Sequence, residues 1–561
     1  MCFRLNILPL WICLLSTFAL KAQEQVEIVN ADVLEFDENL GNGAKRLIGN
    51  CIFRQKNVML YSDSAYFYEN NSLDAFGHVH INQADSIHLY GDVLKYNGNT
   101  KLADVSGKNL RLSDKDMTLY TQRIKYDVNN GQARYDVPGR IVNRENTLTS
   151  KRGLYLSKKR DLYFSGDVVL TNPDHVLKSD SLIHNMETEV SILPVEATMS
   201  GKDVHMYCGN GIYDRKKEIT KLYNNAWITK NKQTIAGDTI FFDDKQGYGF
   251  SRSRAAISDS SEKVFVYGSF ARYFRENDRM IVTGKAEMQQ HFEKDTLFMH
   301  ADTLLTEAIP DSSQMSKDKK GKTSAGQDSS SMRRLQAWRN VQFFKSDFQG
   351  LCDSLVYSEK DSTMRFFGTP VLWSGANQLT GEFVRLIMFK GHIHKLYMNN
   401  KAMIVSREDS TLFNQIKGKD MEGFFDKDEL VKILVIGNGQ ALYYAKDEKQ
   451  QLIGANRADC SDMLIRLEQQ DVKSITMYKE PSGTMYPIKD LPATEKFLKD
   501  FYWLGMYKPQ SREDIFKQKT LPDEFRVSVT GKRMKAQKNK KEKTKDKENN
   551  KSKTENNGKQ P

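Results

Sequence analysis

Ala31-Asp-Val-Leu-Glu-Phe36 returns along the chain as Ser62-Asp-Ser-Ala-Tyr-Phe67, Gly91-Asp-Val-Leu-Lys-Tyr96, Ser179-Asp-Ser-Leu-Ile-His184, Gly237-Asp-Thr-Ile-Phe-Phe242, Ala301-Asp-Thr-Leu-Leu-Thr306 and Cys352-Asp-Ser-Leu-Val-Tyr357. The shared pattern is a small residue, Asp, any residue, an apolar residue, any residue and an aromatic. Weaker copies are anchored at Gln122, Lys151, Gly209, Gly268 and Gly381, and the pattern comes back at Asp420 and Asp459. The intervals between anchors are 31, 29, 30, 29, 29, 29, 29, 30, 34, 51, 28, 39 and 39 residues. A period held this long marks a repeat architecture.

Each repeat has a second half. Gly77-His-Val-His-Ile81, Gly166-Asp-Val-Val-Leu170, Gly201-Lys-Asp-Val204 and Gly368-Thr-Pro-Val-Leu372 fall between anchors, and Asn70-Asn71, Asn97-Gly-Asn99, Asn129-Asn-Gly131, Lys158-Lys159 and Asp244-Lys-Gln-Gly247 punctuate them. Such residues supply the positive φ of tight hairpin turns. Two strands of about ten to twelve residues, with short turns, fill a repeat and leave no room for a helix. The fourth residue after the anchor is Phe36, Phe67, Tyr96, Tyr126, Tyr155, His184, Tyr213 and Phe242 in turn, and the second is mostly aliphatic. At period two these positions share a face. The anchors Asp32, Asp63, Asp92, Asp180, Asp238, Asp302 and Asp353 suit a corner where a strand bends between sheets and the carboxylate accepts N–H bonds lost from the ladder. One Asp per repeat reads as structure, not catalysis.

A right-handed parallel β-helix and an antiparallel jellyroll-like stack both fit a 29-residue all-β repeat. Hairpin signals at half-period favour the second. The fold class is therefore all-β, an elongated β-jellyroll of about fourteen 29-residue hairpin repeats with a short C-terminal helix and a disordered basic tail.

The ends of the chain account for its charge. The formal net charge is +11, of which residues 531–561 carry +8 and residues 1–22 carry +2, leaving +1 for the body. That balance argues against a folded domain gripping nucleic acid. Arg4 followed by the apolar run Ile7–Leu20 and Ala22-Gln23 reads as a cleavable signal peptide over 1–22, which implies export. Domains follow as 23–309 and 333–480 for the repeats, with 310–332, rich in Ser, Lys and Gly, as a disordered insertion. Residues 481–530 form a C-terminal cap, with Phe497, Leu498, Phe501 and Leu504 on one side of a short helix over Pro492–Leu504. Residues 531–561 form a disordered Lys-rich tail. Cys51, Cys208, Cys352 and Cys460 show no close pairing and read as small buried apolar side chains.

The strand [Ala/Ser/Gly]-Asp-x-[Leu/Ala/Ile]-x-[Tyr/Phe] followed by Gly-x-Val resembles the OstA-like, LptA-like family of periplasmic lipopolysaccharide-transport proteins, over residues 24–480 and most strongly between Ala31 and Leu182. The chain resembles a long member without the barrel found in the outer-membrane partner. The resemblance implies a non-enzymatic periplasmic carrier or bridge for lipopolysaccharide in outer-membrane assembly, with association at that membrane. Acyl chains would lie between two sheets, against Leu34, Phe36, Phe67, Leu94, Tyr96, Ile124, Tyr126, Tyr155, Leu182, Tyr213, Ile240 and Phe242. It further implies stacking of edge strands on transport proteins of the inner and outer membranes. From the sequence, the sticky edge is the first one, Val26–Phe36, because the C-terminal element covers the other end.

Two other classes compete with this reading: an exported β-helical enzyme acting on polysaccharide, and a structural or adhesive repeat protein. An enzyme needs a converging set of catalytic groups, and none stands out in the repeats. Gly437-Asn-Gly439 lacks the third glycine of a dinucleotide fingerprint. His78 and His80, like His392 and His394, are spaced to ligate a metal, but no Cys or carboxylate completes a set. No cofactor and no metal are expected.

Overall fold

The computed structural model describes residues 25–530 apart from 37–42, 85, 144, 310–331, 390–391, 448, 450 and 469–470. The expected signal peptide, all but Met332 of the expected insertion, and the Lys-rich tail lie outside the described residues. The chain divides into two compact units, Met1–Glu218 and Ile219–Pro561.

In the first unit Lys45–Gln55, Val58–Phe67, Ser72–Gln83, Ile87–Asn97, Leu102–Ser113 and Thr118–Asp127 are strands of 10 to 12 residues. Each pairs antiparallel with the next. This pairing excludes parallel β-helix coils. Every one of these ladders slips register in mid-strand, between Ile48 and Cys51, Tyr61 and Ser64, Phe76 and Val79, Tyr90 and Val93, and Ser106 and Leu110. A slip of this kind bends the strand, so each long strand serves two facing layers. Further along, prolines make the same corner a complete break. Gln132–Tyr135 and Gly139–Asn143 flank Pro138, and Val190–Leu193 and Ala197–Gly201 flank Pro194. Proline lacks the donor that the ladder has already lost there.

The second unit repeats this plan from Ile219–Lys230 to Leu452–Glu468, with Asp471–Tyr478 and Ser482–Tyr486 both paired to the latter. Its inward faces merge into one apolar core running from Ala255 to Leu467, with Phe343, Phe366, Leu396 and Ile433 among its buried members.

The C-terminal segment departs from the sequence expectation. Pro492–Leu504 does not form a helix; it contains the 3-10 turn Ala493–Glu495 and otherwise runs without regular structure. The only α-helix among the described residues is Asp523–Thr530. Nor does the segment cap the last strand alone. It is a strap across the outer face of the second unit: Leu491 packs with Leu442 and Tyr444, Leu498 with Met403 and Val405, and Leu504 with Val371 and Trp373. Glutamine amides from the strands take the place of helical hydrogen bonds. Gln415 donates to Lys496 O at 2.9 Å and accepts from Leu498 N at 2.8 Å. Gln378 does the same with Tyr502 O and Leu504 N, both at 2.7 Å. Gln342 donates to Lys517 O at 2.7 Å. A carboxamide thus imitates a neighbouring strand, and the segment needs no i→i−4 bond. Arg512 closes the far end with a two-pronged ion pair to the buried Glu287, at 2.6 and 2.9 Å.

Candidate functional site

The inward rows of the first unit are continuous across strands. Phe67 stands opposite Leu73, Leu73 opposite Tyr96, Tyr96 opposite Ala103, Ala103 opposite Tyr126, Tyr126 opposite Ala133, and Ala133 opposite Tyr155. Aromatic and small side chains alternate because the first strand of each repeat brings the aromatic and the second brings Leu or Ala. A parallel row runs Leu34, Leu47, Ala65, Ala75, Leu94, Val105, Ile124.

Of the residues assigned to a lipid groove, Leu94, Tyr96, Ile124, Tyr126, Tyr155, Leu182 and Ile240 are buried. Phe67 and Phe242 are half-buried. Leu34, Phe36 and Tyr213 are exposed, at 58%, 61% and 44%. Leu34 and Phe36 sit on Val33–Phe36, which pairs only with Lys45–Gln55 among the described residues. Ile28, Val29 and Val33 beside them are exposed too.

The tyrosines occupy a particular place between the layers. They lie at the strand ends farthest from the corner, and their hydroxyls cross to the ends of the facing layer. Tyr96 donates to Gln55 Oε1 at 2.5 Å, Tyr126 donates to Gln83, and Tyr155 donates to Asp114 at 3.3 Å. Gln55 also donates to Gly98 O at 3.1 Å, and Arg160 pairs with Asp116. Burial pushes all three phenols up to about 12, with the neighbouring charge of Asp114 adding to the effect at Tyr155, so they remain donors at neutral pH. A line of side-chain ties therefore closes the side of the sandwich opposite its corner. Sequence reasoning missed Gln55, Gln83 and Asp114, although Gln55 and Gln83 recur 28 residues apart, close to the repeat period.

The anchor residues all fall at the bends. Asp63, Asp92, Asp180, Asp238, Asp302 and Asp353 lie inside register breaks, and Asp32 lies between Glu27–Asn30 and Val33–Phe36. The sequence pattern predicts a backbone N–H as partner, and Asp92 has one, Lys108 N at 2.9 Å. More often the partner is a side chain from the bulge on the adjoining strand. Asn50 donates to Asp32 at 2.9 Å, His78 meets Asp63 at 2.7 Å, Asn340 donates to Asp302 at 3.0 Å, and Arg254 pairs with Asp238. Asn50, His78, Arg254 and Asn340 all have positive φ. At Lys151 the charges are reversed: Lys151 holds Asp167 at 2.6 Å. Gly77, at φ +75°, leaves room for this contact, since a Cβ there would lie 2.2 Å from Asp63 Oδ2.

In the second unit a cavity of about 240 Å³ opens between the layers near the last strands. Ile404, Ile416, Ile433, Leu467 and Ile475 line it, and the Lys446–Glu408 ion pair at 2.6 Å stands at its rim. The four described cysteines are free, with Cys51, Cys208 and Cys352 buried and Cys460 half-buried. Among the described residues no group of three His, Cys, Asp or Glu is placed to hold a metal. His78 is engaged by Asp63, and His392 by Asp428 at 2.7 Å.

Bent antiparallel strands stacked at a fixed repeat define the β-jellyroll class. Residues 23–180 match the family described as OstA-like protein, and residues 147–248 match the family described as LptA/(LptD N-terminal domain) LPS transport protein. Together the two matches span residues 23–248, which are similar to the OstA/LptA-like family. Among solved structures the chain is similar to LptH, the LptA-homologous periplasmic component of the lipopolysaccharide transport device of Pseudomonas aeruginosa. That match has 14% identity, covers 25% of this chain and 95% of that one, and has a TM-score of 0.20. No curated protein matches the chain.

Proposed function

We propose that this chain is a non-enzymatic periplasmic bridge for lipopolysaccharide in outer-membrane assembly, associated with that membrane, and that the acyl chains travel between the two layers of the first unit. The observation carrying this reading is the pair of inward apolar rows, one of which continues through Leu47 to Leu34 at an exposed edge, with Phe36 beside it beyond Lys45. Each acyl CH₂ removed from water contributes roughly 0.8 kcal/mol, so a trough of this chemistry suits a lipid whose sugars stay wet. The ties between layers are side-chain hydrogen bonds, not ladder pairs, so the layers part without unfolding a strand. The edge Val33–Phe36 then offers unpaired backbone groups to a partner of the transport machinery by β-augmentation.

The test uses the full chain with a photo-crosslinking residue placed at single positions. Phe67, Leu94 and Ile124 face inward and label lipopolysaccharide; Lys95 and Lys125, on the outward face of the same strands, do not. Equal labelling on both faces overturns the lipid path. Absence of any labelling favours the second reading, a structural repeat protein, which the exposed apolar edge also suits.

A further inference from the structure

The outward face of the first unit beyond the corner carries a single cross-strand row: Tyr61 opposite His80, His80 opposite Tyr90, Tyr90 opposite Arg111, Arg111 opposite Tyr120, and Tyr120 opposite Arg140. The rings stack along the row. Tyr61 and His80 have centroids 5.4 Å apart, and His80 and Tyr90 have centroids 4.3 Å apart at an interplanar angle of 3°. Arg111 lies 4.3 Å from the ring centroid of Tyr90, and Arg140 lies 5.0 Å from that of Tyr120. Stacking occupies the ring faces and turns the edges, hydroxyls and guanidinium groups outward.

The two arginines of this row have no counter-ion among the described residues. Arg111 and Arg140 form no ion pair with any described residue, and Lys178 on the same face has none either. At its edge the face carries one ion pair, Arg54 with Glu27 at 2.8 Å, and the remaining outward positions between that pair and Lys178 are Ile, Met, Val, Asn, Ser, Thr or His. On the other layer Arg123 grips Asp104 at 2.6 and 2.9 Å, and Arg46 meets Glu35 at 3.3 Å. The hydroxyls of Tyr61, Tyr90 and Tyr120 make no hydrogen bond within the described residues. His80 is held below its ordinary value by burial, with His88 and Arg111 adding to the effect.

We propose that this row is a binding surface for a phosphorylated saccharide, with Arg111 and Arg140 taking the anionic groups and the tyrosine edges and hydroxyls taking the sugar rings. Two arginines two strands apart stand about 10 Å from one another, the reach of a short oligosaccharide. Three unpaired cations are too few for a nucleic acid, whose binding rests on neutralising many phosphates. Hydroxyl and amide neighbours match a ligand made largely of hydroxyl groups. The proposal does not depend on acyl chains entering the interior.

The test is titration calorimetry of the full chain with a fully deacylated, phosphorylated oligosaccharide core, so that failure of the lipid path leaves the result unaffected. Binding is expected to weaken with salt and to fall at least about tenfold in R111Q/R140Q, given what a charge-assisted hydrogen bond contributes. R123Q, on the other layer, retains full affinity, and circular dichroism confirms that both variants fold. Equal affinity for the dephosphorylated core overturns the proposal. So does equal affinity for inorganic phosphate, or an unchanged R111Q/R140Q.

Discussion

Tyr126 reaches Gln83, 43 residues away, across the mouth of the first unit's sandwich and donates its hydroxyl hydrogen to the glutamine carbonyl. The same contact recurs one repeat earlier between Tyr96 and Gln55. The row of tyrosines closes one side of the interior as well as lining it.

Removing the hydroxyl tests that closure. Y126F is expected to cost about 1–2 kcal/mol, because Gln83 loses its partner while the ring stays packed. Urea unfolding followed by far-UV circular dichroism measures it. The double variant Y96F/Y126F is expected to take up lipopolysaccharide faster than the parent; a slower rate shows that the ties do not gate entry.

At the corner, G77A combines a disfavoured positive φ with a Cβ 2.2 Å from Asp63 Oδ2, and is expected to cost about 1–3 kcal/mol. The exposed pair Lys151–Asp167 contributes less, because solvent screens it. Reversing it as K151D/D167K is expected to restore the stability that K151D alone removes. A double-mutant cycle measures both.

The strap carries its own prediction. Leu504 is 2% exposed, and L504A is expected to cost about 2–4 kcal/mol. Q378A leaves Tyr502 O and Leu504 N without their partner and is expected to cost about 1–3 kcal/mol. Thermal unfolding and limited proteolysis around residue 500 both report loosening of the segment.

Acid weakens the first unit through His80 and His184, while the exposed His78, raised by its bond to Asp63, acts in the opposite direction. Burial lowers the His184 pKa, and Arg215 adds to this while Glu189 opposes it. His80 is lowered as well. The unfolded chain then binds more protons than the folded one below the ordinary histidine value, near 6.5. Stability is present above that pH and declines as pH falls through it. The melting temperature is expected to drop between about pH 7 and pH 5, and H184Q is expected to flatten that slope.

The repeat was legible in the sequence because it is written in short-range periodicity. Asp63 and Asp92, following small residues in mid-strand, announced the bends, and Tyr96 and Tyr126 announced the inward face. Their partners were not legible in the same way. Gln55 and Gln83 lie at the far ends of other strands, and only folding brings them to the tyrosines. Pro492–Leu504 has the spacing of an amphipathic helix, yet Gln378 and Gln415 hold it extended from 81 to 126 residues away. Local pattern competes with tertiary hydrogen bonds there, and loses. Tyr213 shares the row position of Tyr155 but is exposed, and the alternation of residue types does not foretell it.

The strap also makes the second unit intolerant of changes in length. Its three glutamine anchors, Gln342, Gln378 and Gln415, sit at set distances across the strands. Deleting one 29-residue repeat between them would shift the next anchor by two strands, about 10 Å, and the segment between Leu498 and Leu504 has no slack to follow. The first unit has no such strap among its described residues. Evolution, or an engineer, is free to lengthen or shorten this protein ahead of the strapped strands, while those from Glu287 onward act as a ruler cut to one size.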